Sequence, residues 1–499
     1  MLLRLKQLPL HLLLLPAFFV LHIVNEYYGL LDMSLAGRYT FYYLLLSVVL
    51  FFAGKLFYKS NQKAGLWAMA LLIFFFFWGA FHDYVKNLFP SSFFSSYSFL
   101  LSLSIILISL LSVKLKTNEP PVRATIFFNF LFCILVILEL VEIGGNAITG
   151  ANGLNNLSRK NPQQEIIVNK ADSSRYPDIY FIVFDEYTST KALKKYFNFD
   201  NSSLDSAMRN YNFYIAGNSK SNYNSTPMSV TSTFNMQYFN LEAEELIFGS
   251  KEIQQAWYSL SRNFLHRFLK KIGYRVLDYS LGADGTMTPA KFTRRNHIKI
   301  LSGETFWKRF QHDIMWNFLL FWPSSRDNNN SETYDDNNNA LNFKRTLAEL
   351  KSQSDSPRLV YTHLLFPHPP FDLDRNGQRI NPLQKDTPIS DSQGYLEQVR
   401  YANKLIQQIA QAANQTRARP SVVIIEGDHG YRYKAPEVET TELQYMNLSM
   451  FYFSDNDYRL LYDSISPVNS FRVILNKYFN TKLPLLKDSV VKIHYLPAN

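Results

Sequence analysis

Apolar residues are unevenly distributed along this chain, and long uninterrupted apolar runs occur only in its first third. Five of these runs are long enough, or nearly so, to cross the hydrocarbon core of a bilayer as helices. They lie near Leu8–Val24, Phe41–Phe57, Gly65–Phe81, Phe93–Val113 and Ala124–Val141. The pattern therefore predicts a transmembrane domain of five helices over residues 1–145.

Lys and Arg residues are concentrated in alternate connections between these runs. One side carries Arg4, Lys6, Lys55, Lys59, Lys63, Lys114, Lys116 and Arg123. The opposite loops carry only Arg38 and Lys86. By the positive-inside rule the N-terminus is cytoplasmic, and five crossings place the rest of the chain outside the cell (inner) membrane, in an extracytoplasmic or periplasmic position. A cleaved signal peptide is the alternative for the first run, although no clear small-x-small cleavage site follows it.

Short β-branched runs separated by helical periodicity replace the long apolar runs in the second part of the chain. Strands are predicted in "PDIYFIVFDEYTS", "GYRVLDYS", "RLVYTHLLFPHPPF" and "SVVIIEGDHG", and helices at Arg262–Lys271 and Tyr395–Ala412. This alternation is typical of an α/β domain with a largely parallel sheet. We therefore predict a polar linker over 146–176 and an α/β domain over 177–499. The tract "SSRDNNNSETYDDNNNALN" is poor in apolar residues and is predicted to be an exposed insertion.

Acidic residues follow two of the predicted strands. Asp185 and Glu186 end the first, and Asp428 and His429 end the last. Because open α/β sheets place ligands at the carboxyl ends of their strands, these side chains are expected to meet at one edge. Carboxylate oxygens and an imidazole nitrogen suit a divalent metal, and without a cation they would repel one another or shift their pKa values. The weaker interpretation is that these are turn residues and surface acids at strand ends.

Thr226 is a candidate nucleophile in the stretch "SNYNSTPMSV". Pro227 fits the first position of a helix, which would make Thr226 the N-cap. A hydroxyl there faces free backbone N–H groups and the positive end of the helix dipole, which stabilise an attacking alkoxide and bind phosphate or sulfate. Simple capping is the alternative, and Ser221 and Ser225 are neighbouring hydroxyls that could be confused with it.

The composition excludes several other classes of protein. The single cysteine, Cys133, excludes an intramolecular disulfide framework and a Cys-rich zinc cluster. The formal net charge of +10 suits an anionic membrane surface or anionic substrates. The sequence contains no basic helix or basic–aromatic motif of the kind that binds nucleic acid, so a nucleic-acid partner is not expected.

The order of these motifs carries a resemblance to a known family. A strand ending in Asp-Glu is followed by "NYNST" before a helix, then by "HLLFPHPPF" and by "GDHG". The chain resembles the alkaline phosphatase/sulfatase superfamily, and more closely the membrane-bound sulfatase-like branch that includes lipoteichoic acid synthases and phosphoethanolamine transferases. Those proteins are similar in layout, with five spans followed by an extracytoplasmic catalytic domain.

The resemblance implies a role for each candidate residue. The implied metal ligands are Asp185, Glu186, Thr226, Asp428 and His429. Thr226 would also be the nucleophile. His368 would contact the phosphoryl group of the substrate or protonate the leaving group, and His363 would assist in binding the substrate.

The implied activity is a metal-dependent transfer of a phosphoethanolamine or phosphoglycerol headgroup. The donor would be a membrane lipid, the acceptor an envelope glycan or lipid, and the intermediate a phospho-threonine ester. One imidazole among carboxylates favours Mn²⁺ or Zn²⁺, with Mg²⁺ and Ca²⁺ also compatible. The alternatives are a hydrolase of phosphate or sulfate esters and a catalytically silent membrane scaffold. The oligomeric state is not indicated.

Three features depart from the family pattern. The C/S-x-P-x-R motif that is converted to formylglycine is absent, which disfavours sulfate ester hydrolysis by that chemistry. The several disulfides usual in phosphoethanolamine transferases cannot form in a chain with one cysteine. The glycine in "EGDHG" also replaces the small hydroxyl residue that is often found at that position.

Overall fold

The structure is a computed structural model that describes residues 8–90, 92–149, 176–239, 245–248, 250–280, 297–315, 336–380, 390–415, 418–432 and 440–495. The chain divides into two compact units. The helical unit comprises residues 1–155, 293–330 and 496–499, and the α/β unit comprises residues 156–292 and 331–495. Most of the predicted linker, at 150–175, lies outside the described residues.

Long apolar helices make up the N-terminal part of the helical unit. In the described residues they are α1 (His11–Glu26), α2 (Met33–Tyr58), α3 (Asn61–Leu88), α4 (Tyr97–Thr117) and α5 (Val122–Thr149). The last four are long and apolar enough to cross a membrane, whereas α1 is shorter, with 16 residues. Each predicted apolar run overlaps one of these helices, so the chain has the apolar helices of a membrane protein.

The remaining labelled helices follow the apolar ones in chain order. They are α6 (Thr190–Phe197), α7 (Ser202–Asn210), α8 (Thr226–Asn235), α9 (Ser250–Ser261), α10 (Phe264–Lys271), α11 (Phe306–Asp313), α12 (Asp336–Lys351), α13 (Asp391–Ala413), α14 (Thr440–Leu443) and α15 (Pro467–Tyr478). All belong to the α/β unit except α11, which is part of the helical unit.

A mixed sheet, mostly parallel, forms the centre of the α/β unit. The strands of the chain are β1 (Asp178–Phe184), β2 (Tyr214–Ile215), β3 (Glu245–Phe248), β4 (Arg275–Ser280), β5 (Arg358–Leu364), β6 (Ser421–Gly427), β7 (Ser449–Phe453) and β8 (Lys492–Tyr495). In the described residues six of them pair in the order β2-β7-β6-β1-β5-β4. The pairs β6–β1, β1–β5 and β5–β4 are parallel, while β7 and β2 add an antiparallel edge. The predicted α/β fold with a largely parallel sheet is therefore confirmed.

The strand β1 lies at the centre of the sheet and is buried on both faces. Its even-numbered residues, such as Tyr180 and Ile182, pack into one hydrophobic core, and its odd-numbered residues, such as Phe181 and Val183, pack into another. Helices cover both faces, so a strand in this position needs a continuous apolar run rather than an alternating one. This is why the apolar run in the sequence located the strand correctly.

Part of the Asn-rich tract is helical, contrary to the sequence prediction of an exposed insertion. Residues 324–335 lie outside the described residues, but 336–342 form the first turns of α12. The side chain of Asn339 is buried, and its carbonyl oxygen accepts a hydrogen bond from the backbone N–H of Leu365 at 2.9 Å. A polar side chain can be buried when it forms a hydrogen bond to the backbone. For this reason the polar composition of the tract did not correspond to an exposed loop.

Candidate metal centre

The ends of three neighbouring strands bring the predicted site residues together. Phe184 at the end of β1 pairs with Leu364 of β5 and with Gly427 of β6. Asp185 and Asp428 therefore each follow the last paired residue of their strands, and His363 precedes it on the third. The parallel register places all three side chains at the same carboxyl edge of the sheet.

Asp185, His363 and Asp428 form a buried cluster, in which Nε2 of His363 lies 3.4 Å from Oδ2 of Asp185. Each offers one ligand atom, and these atoms lie within 4.8 Å of one another. Among the described residues, Oδ1 of Asp185, Nε2 of His363 and Oδ2 of Asp428 are buried without a hydrogen-bond partner. Buried polar atoms without a partner are rare in folded proteins because each is costly. Two carboxylates and an imidazole that converge in this way fit a divalent cation.

Glu186 lies beside this cluster and is fully buried. Its backbone N–H donates to Oδ1 of Asp428 at 2.9 Å, and its Oε1 accepts from the backbone N–H of Arg432 at 2.6 Å. Its Oε2 has no hydrogen-bond partner in the part of the chain that the structure describes. Burial raises the pKa of Glu186 well above its usual value, against the opposing charge of Arg432. A nearby cation would favour the ionised form of this carboxyl group.

His429 presents one ring nitrogen to the same site. Its Nδ1 lies 2.8 Å from the carbonyl oxygen of Gly430, so Nδ1 carries the proton and donates it to that oxygen. The lone pair on Nε2 is then available, 3.5 Å from Oδ2 of Asp428 and 3.9 Å from Oδ1 of Asp185. Burial, with the charge of Arg432, lowers the pKa of His429 to about 4. A neutral imidazole fixed through its other nitrogen is suited to bind a metal.

Thr226 is the first residue of α8, and its hydroxyl points toward His429. Its Oγ1 lies 3.4 Å from Nε2 of His429. The N-cap is Ser225, with extended backbone, so the helix begins one residue earlier than the sequence predicted. Thr226 is half-buried, whereas Ser221 and Ser225 are buried. The hydroxyl of Ser229 donates to the carbonyl oxygen of Asp428, which attaches the first turn of α8 to the end of β6.

Three histidines favour the ionised form of Asp185. Burial alone would raise the pKa of this carboxyl group, but His368, His363 and His429 together lower it below its ordinary value. The pKa of His363 is raised, because Asp185 and other carboxylates outweigh the opposing effect of burial. His368 is half-exposed on the loop after β5, and its Nδ1 lies 2.7 Å from the carbonyl oxygen of Pro369.

Sequence reasoning missed two residues that contribute to this site. Arg432 brings a positive charge to it, with Nε 3.7 Å from Oε1 of Glu186, and it lies only four residues beyond Asp428 in the same motif. The Oη of Tyr361 lies 3.0 Å from Nδ1 of His363 and fixes the orientation of that ring. The signal for Tyr361 was its position two residues before His363, on the same face of β5.

The two glycines around Asp428 are required by close contacts between backbone segments. A Cβ atom on Gly427 would lie 2.2 Å from the carbonyl oxygen of Tyr187. One on Gly430 would lie 1.9 Å from the carbonyl oxygen of Leu443. The glycine that departs from the family pattern in "EGDHG" is therefore fixed by packing in this chain, since no side chain fits there.

Several solved structures are similar to this chain. The C-terminal periplasmic domain of EcEptC from Escherichia coli, in complex with Zn, is 11% identical, with a TM-score of 0.40, and the match covers 64% of this chain and 86% of that one. Lipooligosaccharide phosphoethanolamine transferase A from Neisseria meningitidis is 12% identical, with a TM-score of 0.38, and the match covers 94% and 95%. The lipoteichoic acid synthase LtaP from Listeria monocytogenes is 14% identical, with a TM-score of 0.35, and the match covers 61% and 71%.

No curated protein sequence matches the chain. The profile of the family described as Sulfatase matches residues 220–473, which is just over half of the chain. The matched range includes Thr226, His363, His368, Asp428 and His429, and it begins after Asp185 and Glu186. By this match the chain belongs to the sulfatase family and is an enzyme of the alkaline phosphatase/sulfatase superfamily.

Proposed function

We propose that this enzyme is a membrane-bound, metal-dependent transferase of phospho-headgroups. It would move a phosphoethanolamine or phosphoglycerol group from a lipid donor to a glycan or lipid acceptor of the cell envelope. The observation that carries the proposal is the hydroxyl of Thr226, 3.4 Å from Nε2 of His429 and beside the cluster of Asp185, His363 and Asp428. The apolar helices of the same chain support a lipid donor, because they keep the enzyme where headgroups are concentrated.

The proposed metal ligands are Asp185, Glu186, Thr226, Asp428 and His429. Nε2 of His363 lies in the same cluster, 3.4 Å from Oδ2 of Asp185, so this histidine would face the metal as well as the substrate. When bound, a divalent metal would lower the pKa of the Thr226 hydroxyl and offset the negative charge of the phosphoryl oxygens. A ligand set of imidazole and carboxylate favours Mn²⁺ or Zn²⁺ over Mg²⁺ and Ca²⁺.

The proposed reaction has two steps. The hydroxyl of Thr226 gives its proton to water, its Oγ1 attacks the phosphorus of the donor, a new oxygen–phosphorus bond forms, and the bond from phosphorus to the diacylglycerol oxygen breaks. The leaving oxygen takes a proton from His368 or from water. An acceptor hydroxyl then attacks the phosphorus of the phospho-threonine ester and loses its proton to the deprotonated His368 or to water, and the Thr226 oxygen leaves and takes a proton from water.

The surroundings of Thr226 suit the charge that this reaction develops. Thr226 starts α8, so the free N–H groups of the first helical turn are close to an attached phosphoryl group. The guanidinium of Arg432 lies near Asn224, two residues before Thr226, and adds a positive charge on that side. Both features stabilise an anion and do not depend on the identity of the headgroup.

The proposed location is the cell (inner) membrane, with the N-terminus in the cytoplasm. The catalytic domain, residues 177–499 apart from the part that belongs to the helical unit, would then be extracytoplasmic. The distribution of Lys and Arg between the connecting loops supports this orientation.

Hydrolysis of a phosphate or sulfate ester is the second candidate function, and the match to the sulfatase family favours it. In that reaction water replaces the acceptor hydroxyl in the second step. The two functions differ in product, because a transferase attaches the headgroup to an acceptor and a hydrolase releases it into solution. A catalytically silent scaffold is disfavoured. Buried polar atoms without a hydrogen-bond partner destabilise the fold unless a cation binds them.

Intact mass measurement on the purified full-length protein tests the proposal. The protein is mixed with Mn²⁺ or Zn²⁺ and a panel of phospholipids, and Thr226→Ala is compared with Ser225→Ala as a matched neighbouring hydroxyl. We expect an adduct on the wild type and on Ser225→Ala but none on Thr226→Ala, with a mass that identifies the headgroup. An adduct that persists in Thr226→Ala would exclude this nucleophile. Bound metal without an adduct from any lipid would contradict the transferase and favour a hydrolase.

A further inference from the structure

We propose that residues 297–315, which we call the anchor segment, form an interfacial element that lies in the headgroup layer of the outer leaflet. The segment is inserted in the sequence between β4 and α12 of the α/β unit, but it belongs to the helical unit. It contains a helical stretch at 297–302, a turn, and α11 (Phe306–Asp313). Its partner is the lipid bilayer itself. This inference does not depend on the proposed reaction.

The anchor segment is attached to the spanning helices by polar contacts at defined positions. The hydroxyl of Tyr43 on α2 donates to the carbonyl oxygen of Leu301 at 2.7 Å. The backbone N–H of Gly79 on α3 lies 3.0 Å from the carbonyl oxygen of Glu304, which accepts from it. The side chain of Arg309 donates to Asp83, also on α3. These contacts attach the turn and both of its flanking helices to the helical unit.

The absence of a side chain at Gly79 is what allows this close contact. A Cβ atom there would lie 2.5 Å from Oε2 of Glu304, 2.8 Å from Nε of Arg309 and 3.0 Å from Cα of Glu304. The last of these atoms belongs to the backbone and cannot rotate away. Apolar packing reinforces the contact, since Leu301 is fully buried and the ring of Phe306 lies 4.7 Å from that of Phe74.

The contact positions place the anchor segment at the boundary between headgroups and acyl chains. On α3 the apolar run ends at Phe81 and is followed by His82 and Asp83, so Gly79 is less than one turn inside that boundary. On α2 the apolar run begins at Phe41, after the polar Arg38, so Tyr43 is at the corresponding depth. A bilayer places its polar–apolar boundary at such transitions, which are enriched in Tyr and Trp.

The composition of α11 suits the lipid interface. Its sequence is "FWKRFQHD", with aromatic and basic residues close together. Trp307 is 53% exposed, and its ring stacks on that of Phe310 at 6.1 Å. Trp at headgroup level and Lys side chains that extend to lipid phosphates are typical of helices that lie in the interface. Near the attachment point on α3, Phe81 and Tyr84 are also exposed.

Spin labels placed by single cysteines test the depth of the anchor segment in the full-length protein. In a Cys133→Ser background, reconstituted in phospholipid vesicles, a nitroxide is attached at Trp307→Cys. Reference labels in the same helical unit are Phe52→Cys for the hydrocarbon and Glu119→Cys for water. We expect the ratio of oxygen collisions to collisions with a water-soluble nickel chelate at 307 to lie between the ratios measured at 52 and at 119. Accessibility equal to that at 119 would overturn the proposal.

A second pair of variants tests the attachment at Gly79. Gly79→Leu should displace the anchor segment and raise the access of the nickel chelate to the label at 307 several-fold. Gly37→Leu on α2 is the matched control, because a Cβ atom there meets nothing within 4 Å. Resistance to alkaline extraction must show that both variants remain integrated in the membrane. An unchanged label in Gly79→Leu would exclude the proposed attachment, and neither readout requires enzyme activity.

Discussion

We predict that His266 makes the α/β unit sensitive to acid, because it is a half-buried imidazole whose Nε2 is buried. It lies on α10, and its ring packs against that of Phe234 on α8 at 4.7 Å and faces that of Tyr361. Its Nε2 has no hydrogen-bond partner among the described residues. Burial, with a smaller effect from Lys270, lowers the pKa of His266 to about 3. Because α8 begins at Thr226, protonation of His266 would disturb the helix that positions the proposed nucleophile.

The sign and size of the effect follow from the two pKa values. Below the unfolded value of about 6.5 the unfolded chain binds a proton that the folded chain does not bind until about pH 3. His266 therefore does not lower the free energy of unfolding above pH 6.5. Its unfavourable contribution grows progressively as the pH falls from 6.5 toward 3. At pH 5, which is about 1.5 pH units below the pKa in the unfolded chain, the free energy of unfolding is lower by about 2 kcal/mol, because each unit contributes 1.36 kcal/mol.

Comparison of His266→Phe with the wild type at pH 8 and pH 5 measures this loss. Denaturant unfolding of the detergent-solubilised full-length protein is followed through the signal of the α/β unit. We expect the variant to lose about 2 kcal/mol less than the wild type between the two pH values. Lys270→Gln is the control, and it should keep most of the acid sensitivity because burial is the larger cause. Equal losses in wild type and His266→Phe would refute the assignment of a neutral buried imidazole.

Four further outcomes follow from individual contacts. Asp428→Asn should reduce the divalent metal that copurifies with the protein, as measured by mass spectrometry of the metal content, and full retention would exclude Asp428 as a ligand. Gly430→Ala should cost several kcal/mol in an unfolding assay, because the new Cβ would lie 1.9 Å from a carbonyl oxygen, and a normal unfolding midpoint would contradict that contact. Arg358→Met should lower the free energy of unfolding by less than the about 3–5 kcal/mol of an uncompensated buried charge, because Asp178 loses the guanidinium but keeps Arg419 at 3.9 Å. Glu442→Gln should change the free energy of unfolding by less than about 1 kcal/mol, because the ion pairs of Glu442 with Lys195 and Lys220 are exposed.

The sequence located those elements whose patterns are local. The strands β1, β5 and β6 are continuous apolar runs, and the acids at the ends of β1 and β6 were identifiable because strand ends in parallel sheets meet at one edge. The antiparallel edge was missed, although the short run of Ser449–Phe453 carries a usable signal. The small sheet of β3 and β8 pairs Glu245 with Lys492. These residues are far apart in the sequence, so no local pattern predicts their pairing.

The orientation of side chains was harder to predict from the sequence than the position of the strands that carry them. Sequence reasoning considered His363 a substrate-binding residue, and the structure shows its Nε2 among the clustered ligand atoms. Which face of β5 it occupies depends on the register with β1, and a one-residue shift would reverse every side chain of the strand. The anchor segment was not foreseen at all, because its assignment to the helical unit depends on tertiary contacts such as that of Gly79 with Glu304.

The register of β5 is fixed by contacts far from the proposed metal. At the start of the strand, Arg358 donates through its backbone N–H and through Nε to the carboxylate of Asp178 on β1, at 3.2 and 3.1 Å. In the middle, the hydroxyls of Thr362 and Thr346 lie 2.6 Å apart, which commits Thr362 to the face covered by α12. His363 must then point to the opposite face, because successive side chains of a strand alternate. A substitution that releases either contact should therefore weaken metal binding without altering a ligand, because the geometry of this site is set by the pairing of its strands.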